Sequence, residues 1–184
     1  MKKLAVFFPG MGYTVDRPLL YYSKRLAEEL GYDIKLISFS GFPQVTRGDF
    51  EKIRECFDLA SSQAKEQLLG LDLKSYKDIV FISKSIGTVA AAEAALESVA
   101  KDNIRHILFT PLRYTFQSEI RRAIAFTGSL DPMGEGVFDC CREKDIPCFV
   151  VPNANHSLET GDALLDVQNL KEILAETKRF LTEI

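Results

Sequence analysis

The sequence predicts an α/β fold, a three-layer sandwich around a six-stranded, mainly parallel sheet. Short apolar runs alternate with segments of helical period along the whole chain, which is the pattern of strands joined by right-handed helical crossovers. Several runs are continuously apolar, as expected for parallel strands that helices cover on both faces. The length of 184 residues and the apolar content of 46% suit one domain spanning residues 1–184.

The first third of the chain predicts two strands and two helices. The first strand covers residues 4–8, and the helix over residues 18–30 ends at Gly31, which suits the left-handed position after a helix. Alternating apolar residues predict a second strand over residues 33–39, nearer the sheet edge. A long helix begins at about Asp49, and its single apolar stripe consists of Phe50, Ile53, Phe57, Ala60, Ala64 and Leu68.

The middle of the chain predicts a strand, a helix and a further strand. The third strand covers residues 78–83, the alanine-rich helix covers residues 88–100, and the fourth strand covers residues 104–110. The alanines remove side-chain bulk, so this helix can lie close against the sheet. His106 falls inside the fourth strand, where we expect a histidine with satisfied hydrogen bonds.

The last third predicts a fifth strand over residues 123–127 and a sixth over residues 147–151. The helix between them, residues 135–144, carries Val137, Phe138 and Cys141 on one face. The final helix has the clearest period, with Asp166 as its expected N-cap. Its apolar face consists of Val167, Leu170, Ile173, Leu174, Thr177, Leu181 and Ile184.

Composition argues against several classes of function. The net charge is −3 and the sequence has no long basic stripe, so it does not indicate a surface that would bind nucleic acid or an anionic membrane. The apolar run 4–8 is too short for a signal peptide, so we expect a cytoplasmic protein. Four cysteines form no C-x-x-C pair and the chain has two histidines; we expect reduced structural thiols, no metal site and no cofactor.

The sequence predicts a sharp turn between the third strand and the following helix. Ser85 occupies this turn, with the small residues Ser83 and Gly87 two positions to either side. The residue at such a turn has a strained backbone conformation, and its neighbours two positions away must be small to avoid a steric clash. An ordinary strand end with a serine N-cap is the alternative. The segment resembles the nucleophile elbow of the α/β-hydrolase superfamily, with Ser83 in place of the first glycine of G-x-S-x-G.

The resemblance implies a catalytic triad in the order serine, acid, histidine. Ser85, Asp131 and His156 follow the third, fifth and sixth strands, so they meet at one edge of the sheet. Gly128-x-x-Asp131-Pro132 and Asn155-His156-Ser157 look like the acid and histidine loops of this superfamily. Glu159 and Asp162 remain alternatives for the acid. The resemblance also implies the strand order 2-1-3-4-5-6 and a small, lidless, esterase-like or dienelactone-hydrolase-like member.

The same resemblance implies two backbone donors for an oxyanion. These are the N–H of Ile86, at the start of the elbow helix, and the N–H of Met11, in the glycine loop after the first strand. This loop also invites an interpretation as the phosphate cradle of a dinucleotide-binding fold. The spacing argues against it, because Val15 occupies the third glycine position and no G-K-[ST] follows.

The function expected from the resemblance is hydrolysis of a small carboxylic ester or thioester through an acyl-enzyme intermediate. The superfamily often inserts a lid where this chain has only residues 112–122, so any cap is minimal and the acyl substrate small or flexible. The loop residues Tyr13, Phe42, Tyr114 and Met133 are candidates for substrate binding, although each also suits simple packing. The alternative function is a non-catalytic binding or scaffold protein, and the oligomeric state stays open.

Overall fold

The computed structural model describes residues 2–46, 49–98 and 100–183. Across these ranges the six strands form one parallel sheet in the order β2-β1-β3-β4-β5-β6. The predicted fold class and strand order are therefore confirmed. The strands are β1 (Lys3–Phe8), β2 (Asp33–Leu36), β3 (Asp78–Lys84), β4 (Ile104–Phe109), β5 (Ala123–Gly128) and β6 (Cys148–Val151).

Five helices cover the two faces of the sheet within the described ranges. They are α1 (Pro18–Glu29), α2 (Phe50–Leu68), α3 (Ile86–Leu96), α4 (Val137–Glu143) and α5 (Ala163–Thr182). Because side chains alternate along a strand, β3 sends Val80 and Ile82 into the core beneath α1 and α5 and Phe81 into the core beneath α2 and α3. Helix α4 packs on the same face as α3. In the described parts no helix has the length and apolar character needed to cross a membrane.

The strands at the centre of the sheet are buried along nearly their whole length, whereas β2 and β6 are partly exposed edges. Strand β2 is shorter than the predicted range 33–39. The Ile37 N–H still donates to the Phe7 carbonyl, but the backbone of Ser38 and Ser40 bonds to the side chains of Gln67 and Gln63 on α2. Residues 38–40 thus leave the sheet because helix α2 satisfies their backbone groups.

Several predicted helix details are wrong. Asp162, not Asp166, caps α5 by accepting hydrogen bonds from the Leu164 and Leu165 N–H groups. Helix α3 ends at Leu96, short of the predicted end at Ala100; Val99 lies outside the described residues, as does Ile184. Three residues of predicted apolar faces are exposed by about half or more, and each lies in the first or second turn of its helix: Phe50 at 80%, Phe138 at 49% and Val167 at 65%.

His106 is buried in β4, as predicted, but its hydrogen bonds are not satisfied. Its Nδ1 has no partner within the described structure, and the ring meets Phe81 edge-on with centroids 5.8 Å apart. Burial lowers the pKa of His106 to about 4, so the ring is neutral at physiological pH. The histidine therefore serves the core as a flat, mostly apolar side chain.

Candidate active site

Ser85 stands on a strained turn between β3 and α3. Its φ of 53° and ψ of −122° fall in a region that residues other than glycine rarely adopt. Gly87 is required here: a Cβ added to it would lie 2.4 Å from the Pro9 carbonyl oxygen and 2.5 Å from that of Phe8. Helix α3 can thus approach the end of β1 only because residue 87 has no side chain.

Three hydrogen bonds hold the turn in place. The Ser85 N–H donates to the Phe109 carbonyl of β4 at 3.0 Å. The Thr88 hydroxyl lies 2.6 Å from the Ser85 carbonyl oxygen and 2.6 Å from the Thr115 hydroxyl. These contacts fix the serine backbone to β4 and to the short 3-10 helix Arg113–Gln117. Sequence reasoning missed Thr88, since a threonine near the start of a helix has many ordinary roles.

The structure brings the side chains of Ser85, His156 and Asp131 into one hydrogen-bonded chain. Ser85 Oγ lies 2.8 Å from His156 Nε2, and His156 Nδ1 lies 2.8 Å from Asp131 Oδ2. A carboxylate only accepts, so the Nδ1 proton faces Asp131 and Nε2 is left to accept from the serine hydroxyl. The Asp131 side chain is fully buried, whereas a quarter of the His156 side chain is exposed.

Asp131 is held by the loops that follow β5 and β6. A Cβ on Gly128 would lie 2.2 Å from the Ala154 carbonyl oxygen, so the two loops touch through a glycine. The Met133 N–H donates to Asp131 Oδ1 at 2.8 Å. Burial alone raises the pKa of Asp131, but the hydrogen bonds from His156 and the Met133 amide, with the nearby charge of Lys84, outweigh it and lower the pKa below its ordinary value.

The loop that carries His156 is shaped by Asn155. Its Oδ1 accepts from the N–H groups of Ser157 at 2.7 Å and Glu159 at 3.2 Å, and its own N–H donates to the Glu159 carbonyl. Of the two alternative acids, Asp162 is engaged as the cap of α5 and Glu159 is exposed. The imidazole is therefore presented on a closed turn with Asp131 as its hydrogen-bonded carboxylate.

The glycine loop after β1 lies against the elbow. Gly10 and Tyr13 exchange backbone hydrogen bonds of 3.0 and 3.2 Å, which close a tight turn. A Cβ on Gly10 would lie 3.3 Å from the Ser85 Cβ. The backbone N–H groups of Met11 and Ile86 have no acceptor among the described residues. Neither N–H group is therefore committed to a protein acceptor in the part of the chain that the structure describes.

The four candidate substrate-binding residues occupy different surroundings. Phe42 borders an apolar cavity of about 230 Å³ between the loops after β1 and β2, lined also by Met11, Val15, Ile37 and Phe39. Met133 is half exposed beside Asp131. Tyr114 packs against Phe57, with ring centroids 4.7 Å apart and ring planes tilted by 36°, and Tyr13 is a core residue whose hydroxyl accepts from the Leu19 N–H.

Lys84 is the charged residue nearest to the elbow along the chain, and sequence reasoning gave it no role. It ends the buried strand β3 and is 1% exposed. The signal was present in the sequence, since a lysine that continues an apolar run is unusual in a central strand. Over the described ranges no group of three or more His, Cys, Asp or Glu side chains is arranged to hold a metal ion.

No protein-family model and no curated protein matches this chain. Solved structures do resemble it. A Xanthomonas campestris protein assigned to the alpha/beta hydrolase superfamily matches with a TM-score of 0.68, 13% identity and complete coverage of both chains. Dienelactone hydrolase from Anabaena variabilis matches at 0.64 and 18%, over 95% of this chain and 86% of that one. A second X. campestris protein, described as a serine hydrolase without a lid, matches at 0.62 and 15%, over 99% and 84%.

Proposed function

We propose that this chain, which has the α/β-hydrolase fold, is a serine hydrolase that cleaves a small carboxylic ester or thioester. The observation that carries the proposal is the hydrogen-bonded chain of Ser85, His156 and Asp131, with its two distances of 2.8 Å. A serine hydroxyl becomes a nucleophile when a base takes its proton, and the base needs a carboxylate to fix its tautomer. Here the base is within hydrogen-bond distance of both the serine hydroxyl and the carboxylate.

The proposed reaction proceeds in two halves. His156 Nε2 takes the proton of Ser85 as Oγ attacks the carbonyl carbon, and the resulting imidazolium is stabilised by Asp131. The imidazolium then gives that proton to the departing alcohol or thiol, which leaves an acyl group on Ser85. In the second half, water gives a proton to the same imidazole as it attacks the acyl carbon; the imidazolium then returns this proton to Ser85 Oγ as the bond from Oγ to the acyl carbon breaks and the acid leaves. The N–H groups of Ile86 and Met11 are the proposed donors to the oxyanion.

The cavity beside the glycine loop supports a small, apolar substrate group. Its volume of about 230 Å³ holds a short acyl chain, and no charged side chain lines it. We assign substrate contact to Phe42 within this cavity and to Met133, the half-exposed neighbour of Asp131. Tyr13 and Tyr114 are more remote candidates, since one is buried in the core and the other packs against α2.

The test is a panel of p-nitrophenyl esters from acetate to dodecanoate together with short acyl thioesters. We expect turnover of the short chains, a falling rate beyond the length the cavity holds, and loss of activity to background in Ser85→Ala. Ser75→Ala is the matched control, because this exposed serine precedes β3 at the far edge of the sheet. Equal turnover by Ser85→Ala and the native protein would refute the proposal.

A further inference from the structure

Lys84 is enclosed at the carboxyl end of β3, next to the proposed nucleophile. It lies on the same face of the strand as Ile82, beneath the loop after β1. Its Nζ is 5.0 Å from the centre of the Tyr13 ring, and a Cβ on Gly10 would lie 3.3 Å from its Cγ. The lysine stem is therefore held between the glycine loop and the sheet, which leaves the ammonium a defined position.

Two carboxylates from different loops act on this ammonium. Asp131 comes from the loop after β5 and Glu159 from the loop after β6, and both carboxylates attract it. Arg17 lies against the Tyr13 ring, 5.6 Å from its centre. The Tyr13 phenol is neutral, because burial raises its pKa to about 12. Lys84 thus belongs to a small charge cluster that includes the carboxylate bonded to His156.

The ammonium can lose its proton near neutral pH. Burial lowers the pKa of Lys84 to about 7, against the opposing effect of the Asp131 and Glu159 carboxylates. Lysine in water has a pKa near 10.4. Lys84, which lies beside the elbow, is therefore mostly charged at pH 6 and mostly neutral at pH 8.

The carboxylate of Asp131 links this lysine to the proposed chemistry. Asp131 Oδ2 accepts from His156 Nδ1 at 2.8 Å, so the Lys84 cation and an imidazolium on His156 both depend on the same negative charge. We propose that Lys84 is a positioning residue whose charge sets how readily His156 accepts the Ser85 proton. The charged Lys84 ammonium destabilises a positive charge on His156 by electrostatic repulsion. When Lys84 loses its proton to solvent, this repulsion disappears. The inference rests on the proposed function.

Two variants separate the charge from the packing. Lys84→Met keeps an unbranched apolar stem without a charge, whereas Lys84→Arg keeps a charge at every accessible pH. The readout is the second-order rate at which a fluorophosphonate probe labels Ser85 between pH 6 and 9, which requires no knowledge of the substrate. Lys77→Met is the matched control, since Lys77 is exposed before β3 at the opposite edge of the sheet.

The two variants should depart from the native protein in opposite directions. Relative to the native rate, Lys84→Met should react roughly tenfold faster at pH 6 and equally fast at pH 9, because removing one unit charge from the surroundings of the His156 imidazolium changes the proton-transfer equilibrium by about that factor. Lys84→Arg should match the native protein at pH 6 and fall roughly tenfold behind at pH 9. Ratios that do not change with pH, or that change in the reverse sense, overturn the inference.

Urea unfolding measures the ionisation of Lys84 without any reaction. Between pH 7 and pH 9 the unfolded chain retains a proton on Lys84 that the folded chain has released, so the native unfolding midpoint should rise relative to that of Lys84→Met. A constant difference between the two midpoints overturns the inference even if Lys84→Arg does not fold. A native protein that no probe labels at any pH refutes the proposed function instead.

Discussion

At the scale of the residue, the site depends on a few positions whose residue type is dictated by local geometry. Ser85 adopts a strained φ of 53°, Gly87 lets α3 approach β1, and Asp131 accepts from both His156 and the Met133 amide. These positions could be predicted from the sequence because their residue types and spacings are restrictive. The place of Lys84 at the end of a buried strand was also visible in the sequence, but the surroundings of Lys84 and Thr88 were not, since they depend on loops and elements that are distant in sequence.

Asp131→Asn should lower the turnover number by about three to four orders of magnitude, because the amide has no negative charge to stabilise the His156 imidazolium and its NH2 group can donate to Nδ1, which favours the wrong tautomer. The measurement is steady-state hydrolysis of the best ester of the panel. Asp162→Asn is the control: this carboxylate caps α5, asparagine caps equally well, and activity should be retained. A near-normal rate for Asp131→Asn would move the role of the acid to Glu159.

At the scale of the element, hydrophobic period predicted which segments are helices and strands, while contacts from other elements decided where each one ends. Glutamines on α2 draw residues 38–40 away from β1, which no pattern inside β2 reveals. The N-cap of α5 was misplaced for a similar reason, since Asp166 bonds to Thr160 and leaves the capping position to Asp162. Ends of elements are therefore the least predictable part of this fold.

Strand β4 should make the protein sensitive to acid through His106. The unfolded chain takes up a proton at this imidazole below about pH 6.5, whereas the buried ring, with a pKa of about 4, resists it. The neutral His106 therefore makes its full contribution to the free energy of unfolding above pH 6.5. This contribution falls as the pH decreases towards 4, by on the order of 3 kcal/mol.

Urea unfolding of the native protein and of His106→Gln at pH 7 and pH 4.5 checks this. Glutamine does not titrate, so the native protein should lose more stability than the variant over that interval. The same loss in both proteins would show that other groups cause the acid sensitivity.

At the scale of the whole molecule, the two edges of the sheet have separate tasks. The proposed site lies at the carboxyl ends of the strands. At their amino ends, Asp78 of β3 and Arg105 of β4 form a buried ion pair, with 2.8 Å between Arg105 Nη2 and Asp78 Oδ1. Arg105 also donates to the carbonyl oxygens of Phe180 and Glu183, which ties the end of α5 to the sheet. The strand order was predictable because the resemblance extends over the entire chain; this network was not.

Arg105→Met should lower the free energy of unfolding by about 3–5 kcal/mol, because it leaves the Asp78 carboxylate buried without its partner. The protein that remains folded should label at Ser85 at the native rate, since the change lies at the other edge of the sheet. Denaturant unfolding and probe labelling on one preparation test both statements. A large loss of labelling at full folding would contradict the separation of the two edges.

The central claim is that Ser85 is an activated nucleophile. Intact-mass spectrometry after incubation with a fluorophosphonate probe tests it most directly. We expect one adduct on the native protein and on Ser75→Ala, none on Ser85→Ala, and slow labelling of His156→Ala. A folded native protein that gains no adduct, or an adduct that persists in Ser85→Ala, would contradict the claim and favour a non-catalytic role for this fold.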